Sequence, residues 1–103
     1  MKRLTDGRTV AVWNPVPYYN GRTEPTGAAW GRTPLVLAVS QNDGRSFFAP
    51  RIIEDDPMRG YAYTAIHECA DGAVLLAYCA GDEADGNMLN RLRITRISPE
   101  FLK

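Results

Sequence analysis

Turn residues cut this chain into pieces too short for long helices. Nine glycines and seven prolines fall among 103 residues. The apolar runs between them are brief and rich in β-branched side chains, and none keeps a helical period. Such runs read as strands. The candidates are residues 9–14, 34–40, 46–53, 61–68, 73–80 and 89–97, and "KRL" ahead of Asp6 reads as the stub of one more. The first three form one antiparallel meander and the last three another. The expected fold is all-β, a single domain over 1–103 built from two units at about 1–56 and 57–103.

The stretch "PLVLAVSQNDGRSFFAP" at 34–50 shows the grammar at its clearest. Residues 35–39 are an almost unbroken apolar run, as in a strand buried on both faces. Asn42, Asp43 and Gly44 follow as hairpin chemistry. Gly44 accepts positive φ without steric cost, and the Asn and Asp side chains can bond nearby backbone amides. Ser46, Phe47 and Phe48 then read as the start of the next strand, with Pro50 confining it to a sheet edge.

A faint internal repeat relates the two units. "LTDGRTVAVWN" at 4–14 and "CADGAVLLAYC" at 69–79 both place Asp-Gly ahead of an apolar strand, with an aromatic at the same offset, Trp13 or Tyr78. Asp6 and Asp71 stand 65 residues apart, and much of the interval is "NPVPYYNGRTEPTGAAWGR", a long loop of the kind that carries function.

Composition narrows the partners. Twelve basic residues balance twelve acidic ones, so no nucleic-acid or anionic-membrane partner is expected. No segment approaches a membrane span in length. The basic start "MKRLTDGRTV" lacks an apolar h-region, so no secretory signal is read and the chain as encoded is expected to be cytoplasmic. If Asp71 and Gly72 form a two-residue turn, Cys69 faces Val74 and Cys79 faces Thr64, which leaves the cysteines too far apart to bridge. No zinc motif, phosphate loop or Ser/His/Asp triad is present, and no cofactor or metal is expected. The acidic "GDEADGN" at 81–87 does not match an EF-hand and reads as a solvated turn. Glu54, Asp55 and Asp56 read as a solvated loop before Pro57.

Ser40, Asn42, Gly44, Ser46 and Phe47 fit the pattern Ser-x-Asp-x-Gly-x-Thr-Trp with conservative replacements. This stretch resembles the Asp-box, or BNR repeat, of the sialidase (neuraminidase) propellers. "RGYAYTAIHECADGAVLLAYCAG" at 59–81 is similar to the last blade of that family, "RTPLVLAVSQNDGRSF" to the blade before it, and "RLRITRISPEFL" to the family's ending. The resemblance spans nearly the whole chain but only about the final third of the family's fold. It implies two antiparallel propeller-type blades of a six-bladed β-propeller.

The same resemblance implies site residues. Tyr63 falls where sialidases carry their nucleophilic tyrosine, and Arg32 where they carry one arginine of the triad that grips the sialic-acid carboxylate. A guanidinium fork matches a carboxylate with two charge-assisted bonds. A phenol attacks the anomeric carbon without the repulsion that a carboxylate nucleophile would meet from the substrate's own carboxylate. His67 shares the strand parity of Tyr63, and Trp30 could stack on a sugar ring. Each also has a plainer reading: Tyr63 as a half-buried strand aromatic, Arg32 as a solvated loop residue, His67 as structural, and Trp30 as a cap on the fold. The family's acid, base and two further arginines come from blades absent here, and Ala65 stands where sialidases usually have Asp. The parent activity implied is exo-sialidase cleavage, with little or no turnover expected of the isolated chain. Three readings stay open: an inactive sialidase-like glycoside hydrolase fragment, a carbohydrate-binding module, and a protomer that oligomerises through open strand edges. For the last, a trimer is expected first and a strand-swapped dimer second.

Overall fold

A computed structural model describes residues 1–15, 33–48, 50–56, 59–86 and 88–102. Among the described residues seven strands form two antiparallel sheets. The first sheet has the order β1 (Lys2–Arg3), β2 (Thr9–Trp13), β3 (Leu35–Ser40) and β4 (Arg51–Glu54). The second runs β5 (Ala62–Glu68), β6 (Val74–Cys79) and β7 (Leu92–Ile97). Neither sheet closes on itself. Among the described residues there is no α-helix, only the short 3-10 turns Glu83–Asp85 and Met88–Asn90, and no helix is long and apolar enough to cross a membrane.

The expected stub at the N-terminus is a real strand, β1, paired through Lys2↔Val10 and Arg3↔Thr9. β3 is buried along its full length, as its continuous apolar run requires. Two expected strands start later than anticipated. Residues 46–48 are not strand, because Phe48 N–H turns back onto the Val39 carbonyl (3.0 Å), and the ladder resumes at Arg51, beyond Pro50. β7 starts at Leu92, because a 3-10 turn occupies 88–90.

The repeated Asp-Gly hairpins share one geometry. Cys69 N–H donates to the Ala73 carbonyl (2.8 Å) and Gly72 N–H to the Cys69 carbonyl (3.1 Å). In the first sheet Leu4 N–H donates to the Arg8 carbonyl (2.7 Å) and Gly7 N–H to the Leu4 carbonyl (3.0 Å). Gly7 and Gly72 have φ of 93° and 88°, the left-handed position that closes a three-residue hairpin loop. Asp6 Oδ1 accepts from Arg8 N–H, and Asp71 Oδ1 from Ala73 N–H, each at 3.0 Å. The turn is therefore three residues long rather than two. The register moves by one, pairing Glu68 with Val74, and the irregularity between Ala62 and Ala65 moves it by one more, pairing Ala62 with Cys79. Both cysteines are free and half-buried.

The sheets stack face to face. From the first sheet Leu4, Val10, Leu35, Leu37 and Val39 enter the core; from the second, Tyr61, Val74, Leu76, Tyr78 and Ile97. Tyr61 and Tyr78 meet edge to face with ring centroids 6.2 Å apart. Leu102 seals one end, with Arg8 Nη1 bonded to its carbonyl (2.9 Å) and the Arg51 guanidinium 3.9 Å over the Phe101 ring. Thr5 ties the first hairpin to β5, donating from its backbone N–H and its hydroxyl to the Glu68 carboxylate, both at 2.9 Å.

Candidate functional site

The 40–46 turn is held by its own side chains. Ser40 Oγ donates to Asn42 Oδ1 (2.8 Å) and accepts from Gly44 N–H (2.8 Å). Asn42 Oδ1 also accepts from Ser46 N–H (2.9 Å), and Asn42 Nδ2 donates to Ser46 Oγ (2.8 Å). An aspartate could supply the acceptor but not that last donor. Asp43 and Gly44 take φ of 63° and 82°. The tip of the Phe47 ring lies 3.9 Å from where a Cβ on Gly44 would stand, so the aromatic folds back beneath the turn.

Tyr63 is 68% exposed and sits at φ 57° inside a register shift of β5 against β6. A bulge that re-aims a side chain, with a tyrosine held in the left-handed region, is a feature often found at functional sites. The shift also interrupts strand alternation, so parity alone no longer puts Tyr63 and His67 on one face. His67 is exposed and pairs across with Leu75. Arg32, the expected carboxylate grip, and Trp30 lie outside the described residues, as do Tyr18 and Tyr19 of the same loop, so of the expected sugar-site residues Tyr63 and His67 are the described ones.

The sequence reading missed a tyrosine–glutamate–arginine cluster between the sheets. Tyr78, which is 1% exposed, donates from its hydroxyl to Glu54 Oε2 (2.7 Å) and shares a hydrogen bond with Thr95 Oγ1 (2.6 Å). Arg93 Nη1 donates to the same carboxylate oxygen at 2.7 Å. Glu54 is thus the end of β4 and a sheet-to-sheet tie, not a solvated loop residue. Its signal was weak, because a carboxylate beside Asp55, Asp56 and Pro57 looks like a loop until β7 brings Arg93 against it. Burial raises the phenol of Tyr78, and the hydrogen bond and charge of Glu54 raise it further, while the Thr95 hydroxyl and Arg93 pull the other way. Burial, reinforced by the Glu54 and Asp56 charges, pushes Tyr61 up to about 12. A neutral, enclosed phenol is poorly suited to nucleophilic attack. Chemically the cluster is a clamp.

Asp82 and Asp85, in the stretch read as a solvated turn, are likewise paired. Asp85 receives both Arg91 Nε (2.9 Å) and Arg91 Nη2 (2.7 Å), and Arg59 Nη2 binds Asp82 Oδ2 (2.9 Å). The Arg91 bonds, more than any other contact, hold the Asp85 carboxyl far below the usual range. Among the described residues no group of three or more His, Cys, Asp or Glu could hold a metal ion.

No protein-family model matches the chain, nor does a curated protein or a solved structure. What is established is a class: an open, all-β, two-sheet protein.

Proposed function

We propose that the chain is a pair of sialidase-like Asp-box propeller blades that binds an acidic sugar and does not hydrolyse sialosides by itself. The observation that carries this reading is the turn at 40–46. There Ser40 and Asn42 take the backbone amides of Gly44 and Ser46 while Phe47 tucks beneath, which is the job the Asp-box residues are expected to do. Two related sheets stacked face to face are also what neighbouring blades require. Tyr63 and His67, both exposed, supply the described part of the sugar site, with Arg32 and Trp30 as its carboxylate and stacking groups. Hydrolysis by a phenol needs a base and an acid placed around it, and in the sialidase family the chain resembles those roles fall to other blades.

Two assays on the purified chain decide the matter. A fluorogenic sialoside should give no turnover above buffer, and a glycan array should show carboxylated sugars retained by the wild type and lost by Arg32→Ala. Turnover abolished by Tyr63→Phe would make the chain an enzyme. Retention of neutral glycans alone, indifferent to Arg32→Ala, would remove the carboxylate grip.

A second reading, the oligomerising protomer, is favoured by a different observation. Leu92 and Ile94 stand 70% and 62% exposed on the open side of the second sheet. On this reading the chain completes a ring with its own copies, three copies of two blades being the favoured form.

A further inference from the structure

The sequence holds four Asp-Gly pairs, beginning at Asp6, Asp43, Asp71 and Asp85. Each carries a latent reaction. The glycine amide nitrogen can attack the aspartyl Cγ, since a residue without a side chain leaves that approach open. The amide proton and the carboxyl hydroxyl leave as water, and a five-membered imide forms. Water then adds back to one of the two imide carbonyls. Opening at the side-chain carbonyl restores aspartate. Opening at the main-chain carbonyl gives isoaspartate, with the chain running through Cγ and the α-carboxyl set free. One water is lost and one gained, so neither mass nor oxidation state changes.

In a folded chain the step needs a carboxyl that can swing onto the next amide. Three of the four are pinned at both oxygens. Asp6 accepts from Arg8 N–H (3.0 Å) and Arg8 Nε (2.8 Å). Asp71 accepts from Ala73 N–H (3.0 Å) and from Arg96 Nη2. Asp85 accepts from Arg91 Nη2 (2.7 Å) and Arg91 Nε (2.9 Å), and its Oδ2 also from Asp82 N–H (3.1 Å). These contacts also hold the three carboxyls below the usual range, chiefly through the Arg8 amide, the Ala73 amide and the Arg91 guanidinium in turn. The ionised carboxylate is the poorer electrophile.

Asp43 stands apart. Among the described residues its carboxylate meets only Arg3 Nη2, at 3.3 Å, between side chains that are 64% and 68% exposed. Water competes well against such a pair. The residue also sits at φ 63°, a conformation that a side chain with a Cβ disfavours. The remaining restraint lies on the nucleophile, since Gly44 N–H donates to Ser40 Oγ (2.8 Å). We propose that Asp43 is the Asp-Gly site at which the folded chain forms isoaspartate, and that pinning of both carboxyl oxygens spares Asp6, Asp71 and Asp85. The product lengthens the main chain by one carbon inside the 40–46 turn, so the Ser40–Gly44 and Asn42–Ser46 bonds cannot all be kept. The proposal needs neither the sugar site nor an oligomer.

The test is ageing of the purified chain at neutral pH and body temperature, folded and in concentrated urea, followed by trypsin. Isoaspartate is located by electron-transfer fragmentation and by labelling with an isoaspartyl methyltransferase. Peptide 33–45 holds Asp43 as its single aspartate. In the folded sample it should split into two peaks of equal mass, severalfold faster than isoaspartate appears at Asp6, Asp71 or Asp85. In urea the four rates should converge. Deamidation of Asn20 or Asn42 raises the mass and is read apart. Arg91→Ala should speed isomerisation at Asp85 severalfold and leave Asp43 unchanged. Far-UV circular dichroism checks its fold, and Arg96→Ala, read at Asp71, replaces it if the chain unfolds. A folded wild type in which another Asp-Gly pair keeps pace with Asp43 overturns the proposal. So does a peptide 33–45 that stays single while the urea sample splits. An unpinned aspartate that stays as slow as in the wild type would overturn the role given to pinning.

Discussion

Asn42 shows how much one side chain can fix. It accepts from Ser40 and Ser46 and donates to Ser46, so it holds a turn in which Asp43 is already strained at φ 63°. Asn42→Ala removes these bonds and should destabilise the chain by about 1–2 kcal/mol, because the Ser46 amide and hydroxyl are left to find water. Asn42→Asp keeps the acceptor, and the Ser46 hydroxyl can turn to donate to it, so that variant should fall within about 0.5 kcal/mol of wild type. Urea unfolding of the three proteins, fitted with a common slope, measures the difference. Equal losses for both variants would mean that the amide donor, rather than the acceptor, does the holding. The spacing of Ser40, Asn42, Gly44 and Ser46 made this turn legible in sequence, since every bond in it is local. The φ of Tyr63 was not legible, because it depends on the register between β5 and β6.

The two Asp-Gly hairpins are the clearest case of one element used twice. Gly7 and Gly72 share φ near 90°, and a Cβ at Gly7 would meet nothing within 4 Å while one at Gly72 would meet only the Pro99 ring at 3.8 Å. Neither substitution clashes, so the cost is backbone strain alone. Gly7→Ala and Gly72→Ala should each lose about 1–2 kcal/mol, and by similar amounts. Thermal melts of the two variants side by side check this, and a difference several-fold in size would mean the hairpins are not equivalent. The sequence repeat foretold the pair, but Asp-Gly alone does not count the loop residues. The Cys69 to Ala73 hydrogen bond makes the loop three residues long and moves the ladder by one from Glu68 back to Ala65, where the bulge adds a further step. The separation of Cys69 and Cys79 was expected from the wrong register and holds in the right one.

At the scale of the molecule, the sheets are joined by a shared apolar core and by the Tyr78–Glu54 clamp with Arg93 and Thr95. Tyr61 and Tyr78 both have raised pKa values, with burial the largest cause in each case. A phenol raised above its unfolded value of 10.0 favours the folded state below that pH, and the advantage is lost as pH climbs through the folded value, about 12 for Tyr61. Stability should therefore hold to about pH 10 and fall steeply towards pH 12, with tyrosinate absorbance near 295 nm rising in step with unfolding. Tyr78→Phe removes one of the two protons and should flatten the fall, at a cost near neutral pH of about 1–3 kcal/mol from the lost bonds to Glu54 and Thr95. An unchanged slope in that variant would show that Tyr78 is not part of the alkaline transition.

The sequence by itself determined the all-β class, most of the strands, their grouping in two antiparallel meanders and where the tight turns fall, though not their length. These follow from side-chain period and from residues that tolerate positive φ, both properties of a few neighbouring positions. The tertiary structure decided the rest. It placed Glu54 against Tyr78 and Arg93 across 24 and 39 residues of chain, shifted β6 by one position, and bulged β5 at Tyr63. It also sorted two chemically similar apolar faces, burying Leu35 and Leu37 while leaving Leu92 and Ile94 in solvent. Apolar pattern says that a face wants a partner. Which face receives one is decided by the packing of one sheet on the other, a contact between residues far apart in the chain.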